Sequence, residues 1–158
     1  MSKQNVSIIA ILNDVLAGEL AAINQYFLHA KMCANWGFMR LASKIRLESI
    51  DEMRHAEALI DRILFLEGLP NVQKLGKVTI GETVKEQLEV DRALELEAIP
   101  RLNQGIETCR LAGDNGTRLL LETILKAEEE HLDWLDTQLE LIRQIGLENY
   151  LAQQVKGG

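Results

Sequence analysis

Glu52 and His55, and again Glu128 and His131, set a carboxylate and an imidazole three residues apart. On a helix, residues at that spacing share a face about one turn apart, so each pair aims two metal-ligating groups at one point. The chain has only 3 histidines, and two of them stand in this motif. The third, His29, has Tyr26 three residues upstream, and a structural or interface role is expected for it. Mixed oxygen and imidazole ligands suit iron or manganese, whereas the absence of cysteine from both motifs disfavours a structural zinc site.

Two further carboxylates belong with these pairs. Glu19 interrupts a helical apolar series of Ile8, Ile9, Leu12, Val15, Leu16, Leu20, Ile23 and Phe27. A carboxylate there costs several kcal/mol to desolvate unless a cation or partner meets it. Tyr26 lies two turns further along nearly the same face, which brings its hydroxyl towards whatever Glu19 binds. Glu19 and Glu52 are 33 residues apart, as are Glu95 and Glu128, and the second pair, like His131 against His55, is the first displaced by 76. The midpoints, 35.5 and 111.5, fall on the turns expected at Asn35–Gly37 and Leu111–Gly113. Residues equidistant from an antiparallel turn lie at one height, here about 24 Å from it. Two such hairpins packed as one bundle would bring four Glu and two His to a single level. Four carboxylates left alone in a dry core repel one another, and two divalent cations neutralise them.

The elements that must hold these residues are legible from periodicity and breakers. A first helix is expected over Val6–Asn35, ending at Gly37, and a second over about Phe38–Glu67, stopped by Gly68 and Pro70. Leu69–Gly81 has no sustained period and reads as a crossover running the length of the bundle. Thr79-x-x-Glu82 is a candidate capping box for a third helix over Glu82–Ala112, interrupted by Pro100 with a kink just past Glu95. A turn at Gly113–Gly116 leads to a fourth helix over Thr117–Ile145, and Leu147–Val155 reads as a short terminal helix. The fold class is therefore all-α, a four-helix bundle with a long crossover and a short fifth helix, built as a single domain over residues 1–158.

Composition sets the outer bounds. A hydrophobic fraction of 47% with 2 prolines in 158 residues favours a helical chain with a sizeable core. The net charge of −7 argues against nucleic acid or an anionic membrane as partner and is compatible with attracting cations. The start, MSKQNVSIIA, has neither the apolar core nor the cleavage site of a signal peptide, so the cytoplasm is expected. Cys33 and Cys109 read as two free thiols.

With these residues in place, the chain resembles a bacterioferritin nearly end to end. The likeness runs through NQYFLHA (Asn24–Ala30), ESIDEM (Glu48–Met53), RILFLEGLPN (Arg62–Asn71), DRALELE (Asp91–Glu97), EEEHLDWL (Glu128–Leu135) and GLENYL (Gly146–Leu151). One Glu from each of two helices and a Glu-x-x-His from each of the others is the ligand set of ferritin-like di-iron bundles. The resemblance implies a ferroxidase centre, with Glu19 and His55 on one iron, Glu95 and His131 on the other, and Glu52 and Glu128 bridging. Tyr26 would stand beside it, hydrogen-bonding or supplying an electron. It also implies a hollow homo-oligomeric shell of twenty-four subunits that oxidises Fe(II) with O2 or H2O2 and stores a ferric mineral. Release would draw electrons from a 2Fe–2S ferredoxin through haem b.

Met53 carries the haem expectation. Helical geometry puts it about 130° from the centre of the Glu52/His55 face, on the outside of the bundle. A Met there can equally pack a subunit contact; in the family the matching residue from each of two subunits ligates a haem on the dimer axis. Two departures stand out. Arg46 and Leu47 occupy positions where many members carry Tyr and His, which leaves Asp51 without that His at an inner-surface iron site, and Pro100 follows Glu95 closely. Glu48 is a candidate neighbouring acid for the centre, Trp134 is expected to pack the core, and Glu129 and Glu130 should face solvent. A rubrerythrin-like di-iron peroxidase on the same bundle is disfavoured by the lack of C-x-x-C pairs, and a haem-carrying subunit of a mixed shell by the complete ligand set.

Overall fold

A computed structural model describes residues 3–156. Five helices make up most of it: α1 (Lys3–Asn35), α2 (Met39–Phe65), α3 (Val84–Ala112), α4 (Asn115–Ile145) and the short α5 (Leu147–Ala152). α1 packs along α2, α3 along α4, and the two hairpins meet chiefly through α1 and α3. The expected all-α bundle with its long crossover and short fifth helix is what the chain forms. α1 begins earlier than the first strongly apolar residue, and α5 ends at Ala152, short of Val155.

The caps differ from the sequence expectation in one place. Thr83 caps α3, its Oγ1 accepting from Glu86 N at 3.2 Å, while Glu86 Oε2 accepts from Glu82 N at 2.9 Å. Thr79 is not the cap, because its N–H donates to Gln25 Oε1 at 3.0 Å and holds that stretch extended along α1. Asp114 caps α4, accepting from Thr117 N at 3.0 Å, and Arg62 of α2 donates to Asp114 Oδ1 and Thr117 Oγ1 at 3.0 and 2.9 Å. α3 runs through Pro100 without a break, so the proline costs a backbone hydrogen bond but does not interrupt the helix. At the end of α2 the left-handed residue is Glu67 (φ 63°), not Gly68. Gly68 is needed for a different reason: a Cβ there would lie 2.8 Å from Ile9 Cδ1.

The crossover is strapped along α1. In order, Asn71 N donates to Asn13 Oδ1 at 2.8 Å, Gly76 N to Ala17 O at 2.9 Å, Thr79 N to Gln25 Oε1, and Gly81 N to His29 Nε2 at 3.0 Å. His29 and Gln25 are themselves held by Asp91 of α3, with His29 Nδ1 and Gln25 Nε2 at 2.9 and 2.8 Å from its Oδ1. The Gly81 bond fixes the tautomer, since Nε2 must accept and Nδ1 therefore carries the proton. All three side chains are buried, which makes His29 structural, as its sequence context implied.

The core is two apolar clusters with a polar layer between them. One contains Leu12, Leu16, Leu59, Ile63, Leu102, Leu121 and Ile124, the other Tyr26, Cys33, Leu41, Ile45, Leu88 and Leu135. Each candidate carboxylate falls in its helix between residues of the two clusters. α1 alone among the described helices is long and apolar enough to cross a bilayer, but its apolar side forms the bundle core. Both cysteines are buried and free.

The strap gives a direct test. Replacing His29 by Leu orphans the buried Gly81 N–H and removes one donor from Asp91, at a cost of about 2–5 kcal/mol. A urea titration should show that loss as a lower midpoint, and amide exchange at Gly81 should speed up more than exchange in α2.

Candidate metal centre

The four carboxylates and two imidazoles meet at one level of the bundle, as the 76-residue displacement requires. Glu19, Glu52, Glu95 and Glu128 are each 3% exposed or less, so a position in bulk water is ruled out for all four. They line a common cavity of about 70 Å³, room for a few water-sized species. His131 is 5% exposed, and the His55 side chain retains 15%.

Two adjoining groups form from these six residues. His55 Nδ1 lies 3.6 Å from Glu19 Oε2, 3.5 Å from Glu52 Oε1 and 3.3 Å from Glu128 Oε1. His131 Nδ1 lies 3.1 Å from Glu95 Oε1. Ligand atoms of Glu19, Glu52, His55 and Glu128 are within 4.8 Å of one another, as are those of Glu95, Glu128 and His131. Glu128 belongs to both groups, whereas Glu52 falls with the first.

Their hydrogen bonding is incomplete. Among the described residues, Glu19 Oε2, His55 Nδ1, Glu95 Oε2 and Glu128 Oε1 are buried without a hydrogen-bond partner. Native interiors satisfy nearly all buried polar atoms, so four orphans within the two adjoining ligand groups mark a place built for a ligand that bonds oxygen and nitrogen lone pairs. Tyr26 is the exception in the layer: its hydroxyl donates to Glu95 Oε1, and its ring meets that of His131 edge-on at 5.2 Å.

Electrostatics report the same conflict. Burial, then the neighbouring carboxylates, push Glu52 and Glu128 well above the ordinary carboxyl range and raise Glu19 as well. Glu95 is lowered, because bonds from Glu128, His131 and Tyr26 outweigh its burial. Burial disfavours the His55 cation, yet the surrounding Glu128, Glu19 and Glu52 push it up to about 12, and His131 rises beside Glu95 for the same reason. Burial and the adjoining Glu95 lift Tyr26 well above its usual value, so its hydroxyl stays protonated. Protons on Glu19, Glu52, Glu128 and both imidazoles thus offset the crowding of negative charge.

The surroundings settle the remaining candidates. Glu48 Oε1 pairs with Lys44 Nζ at 2.8 Å and its Oε2 lies 3.7 Å from His131 Nδ1, so it does neighbour the centre. Trp134 stacks on His131 with centroids 6.2 Å apart while packing against the second apolar cluster. Glu129 and Glu130 are exposed. Pro100 does not displace Glu95, which remains 1% exposed. Met53 is 52% exposed on α2, clear of the centre. The Gln25–His29–Asp91 network went unread in the sequence, although Gln25 and His29 stand four residues apart on one face of α1.

Comparison with known proteins agrees with this geometry. Residues 9–145 match the model of the ferritin-like domain. The chain is 54% identical over 148 residues to a bacterioferritin of Mycobacterium leprae, covering 94% of this chain and 93% of that protein. A bacterioferritin of Mycobacterium tuberculosis is 53% identical with the same coverage, and one of Streptomyces coelicolor is 50% identical over 149 residues, 94% of this chain and 89% of that protein.

The raised groups predict how metal-free protein responds to pH. Glu19, Glu52, Glu128, His55 and His131 all hold protons more tightly folded than unfolded, so their contribution to stability is greatest at low pH and is lost as pH rises above about 4.5 for the acids. Glu95 alone acts in the opposite sense. Thermal melts of metal-free protein should therefore fall from pH 5 to pH 8 unless a divalent cation is added, and calorimetry in buffers of different ionisation enthalpy should show cation binding releasing protons.

Proposed function

The chain belongs to the bacterioferritin family, and from that premise we propose that it stores iron, acting as a ferroxidase that converts Fe(II) to Fe(III) before the metal is laid down as mineral. The observation that carries this reading is the convergence of four buried carboxylates on one cavity, with two imidazoles within ligand distance of them and unpartnered atoms on Glu19, His55, Glu95 and Glu128. Fe(II) is the substrate. Glu19 and His55 hold one ion, Glu95 and His131 the other, and Glu52 and Glu128 lie between them. The presence of Glu128 in both ligand groups supports its bridging role.

Each residue then has a task. The carboxylates replace the water around Fe(II) and neutralise its charge, releasing the protons they held. Each ion gives up one electron; two electrons and two protons reduce one H2O2 to two waters, and O2 serves as the alternative oxidant. Tyr26, protonated and bonded to Glu95, stands where it can supply a further electron together with its proton. The apolar clusters above and below keep bulk water from the reacting layer.

Met53 fits a haem ligand. Its thioether is exposed, and Ile23, Phe27 and Ile50 give the α1/α2 surface partly exposed apolar positions, with Ser49 Oγ bonded to Ile23 O at 3.0 Å where the helices meet. Met53 would hold haem b, and the bound group would supply electron transfer for reductive release of iron, with a 2Fe–2S ferredoxin as the expected reductant. The whole chain acts as one ferritin-like unit of a twenty-four-subunit homomeric shell in the cytoplasm. The inner-surface iron site of some relatives is not part of this proposal, since Leu47 offers no ligand atom and Asp51 pairs with Arg54 at 3.1 Å.

Purified homomer should show a shell by native mass and rapid Fe(II) oxidation with O2 or H2O2. Glu128→Ala should slow that oxidation by at least about 100-fold while the shell persists. Met53→Leu should remove haem absorbance and leave both shell and oxidation rate intact; a surviving Soret band would show that Met53 is not the ligand.

A further inference from the structure

The carboxylate chamber opens on two sides of the bundle, and the two openings differ in charge. Towards α1, α3 and the crossover, the cavity that holds the four carboxylates is continuous with Gly18, Lys77, Glu97 and Arg101. Towards α2 and α4, a second cavity of about 160 Å³ reaches Glu52, His55 and His131 past Lys44, Glu48, Asp51 and Glu130.

The first opening has a built feature. Arg101 Nη1 would lie 2.5 Å from a Cβ on Gly18, so the guanidinium occupies the space that glycine leaves beside Glu19. Lys77 follows Gly76, whose N–H is tied to Ala17 O at 2.9 Å, so the strap delivers a second cation to the same rim. Neither Arg101 nor Lys77 has an ion-pair partner among the described residues, and Glu97 is the lone acid lining that rim. At the other opening the cations are already matched: Lys44 bonds Glu48, Arg54 bonds Asp51, and Glu130 is left over.

We propose that Arg101 and Lys77 form a cationic collar that closes the α1/α3 opening to Fe(II), so that the ion loads through the α2/α4 opening past Glu130. This rests on the ferroxidase reading and names the route by which that centre takes its substrate. A cleft of one sign changes the arrival rate of a charged ligand by about 10–10³-fold, and both openings reach Glu52 of the same centre, so rim charge decides between them.

The test uses Co(II) in the absence of oxygen, with the assembled protein and stopped-flow detection of the ligand-field absorption that a Glu128→Ala variant lacks. Arg101→Glu should load Co(II) faster, by about tenfold, and Glu130→Lys should load it more slowly by a similar factor. Both should reach the wild-type final absorption. Arg101→Gln, which keeps most of the length over Gly18, should fall between wild type and Arg101→Glu and covers the case in which the charge reversal does not fold. A loading rate unmoved by either Arg101 variant, or by Glu130→Lys, overturns the collar while leaving the ferroxidase reading in place. Absence of any Glu128-dependent Co(II) signal in the wild type would instead count against the centre itself.

Discussion

Repulsion among four carboxylates held out of water is the constraint on which this fold turns. Glu19, Glu52, Glu95 and Glu128 come one from each long helix and are sealed between two apolar clusters. Unpaired buried charge is among the most costly features a core can carry. Metal-free, the layer copes by holding protons, with three of the four acids raised and both imidazoles raised against their own burial. Two divalent cations meet the same need without protons. Folding stability and cation binding are thus the same electrostatic problem solved with different positive charges.

The apolar clusters and the strap keep that layer from relaxing. A layer of repelling groups would separate if the hairpins could slide, and the two clusters fix the helices on either side of it. The crossover adds a second restraint, because its amides bond to α1 from Asn13 to His29 in sequence order. Asp91 then ties His29 and Gln25 to α3, four residues before Glu95 on the same helix. Through Asp91, the register of the crossover on α1 and the height of Glu95 on α3 are set together.

Much of this was legible in the sequence because it depends on counting. Equal spacing of 33 within each hairpin and a displacement of 76 between them place Glu19, Glu52, Glu95 and Glu128 at one level whatever the details of packing. Local bonds that depend on tertiary partners were not legible. Thr79 and Thr83 each precede a Glu by three residues, and only the pull of Gln25 on the Thr79 amide decides that Thr83 is the cap. The end of α2 misled for a related reason: Gly68 looked like the left-handed stop, but it is fixed by the side chain of Ile9, and Glu67 takes the positive φ. Asp91 gave no sign of being buried, because its partners lie 62 and 66 residues away. The proposed haem, shell and ferredoxin contacts would each involve more than one chain, so the fold of one subunit carries no sign of them.

The two halves of the centre are equal in sequence and unequal in structure. Glu95 already has Tyr26 and His131 on one oxygen and is the acid whose pKa falls. Around His55 no comparable bond forms: three carboxylate oxygens stand 3.3–3.6 Å from Nδ1, and both Nδ1 and Glu19 Oε2 are orphaned. Tyr26 accounts for the difference, since its counterpart in the other half, displaced by 76, is Leu102. One hydroxyl therefore breaks the internal symmetry of the repeat. It leaves the Glu95/His131 half joined by hydrogen bonds on Glu95 Oε1, while Glu19 Oε2 and His55 Nδ1 in the other half have none.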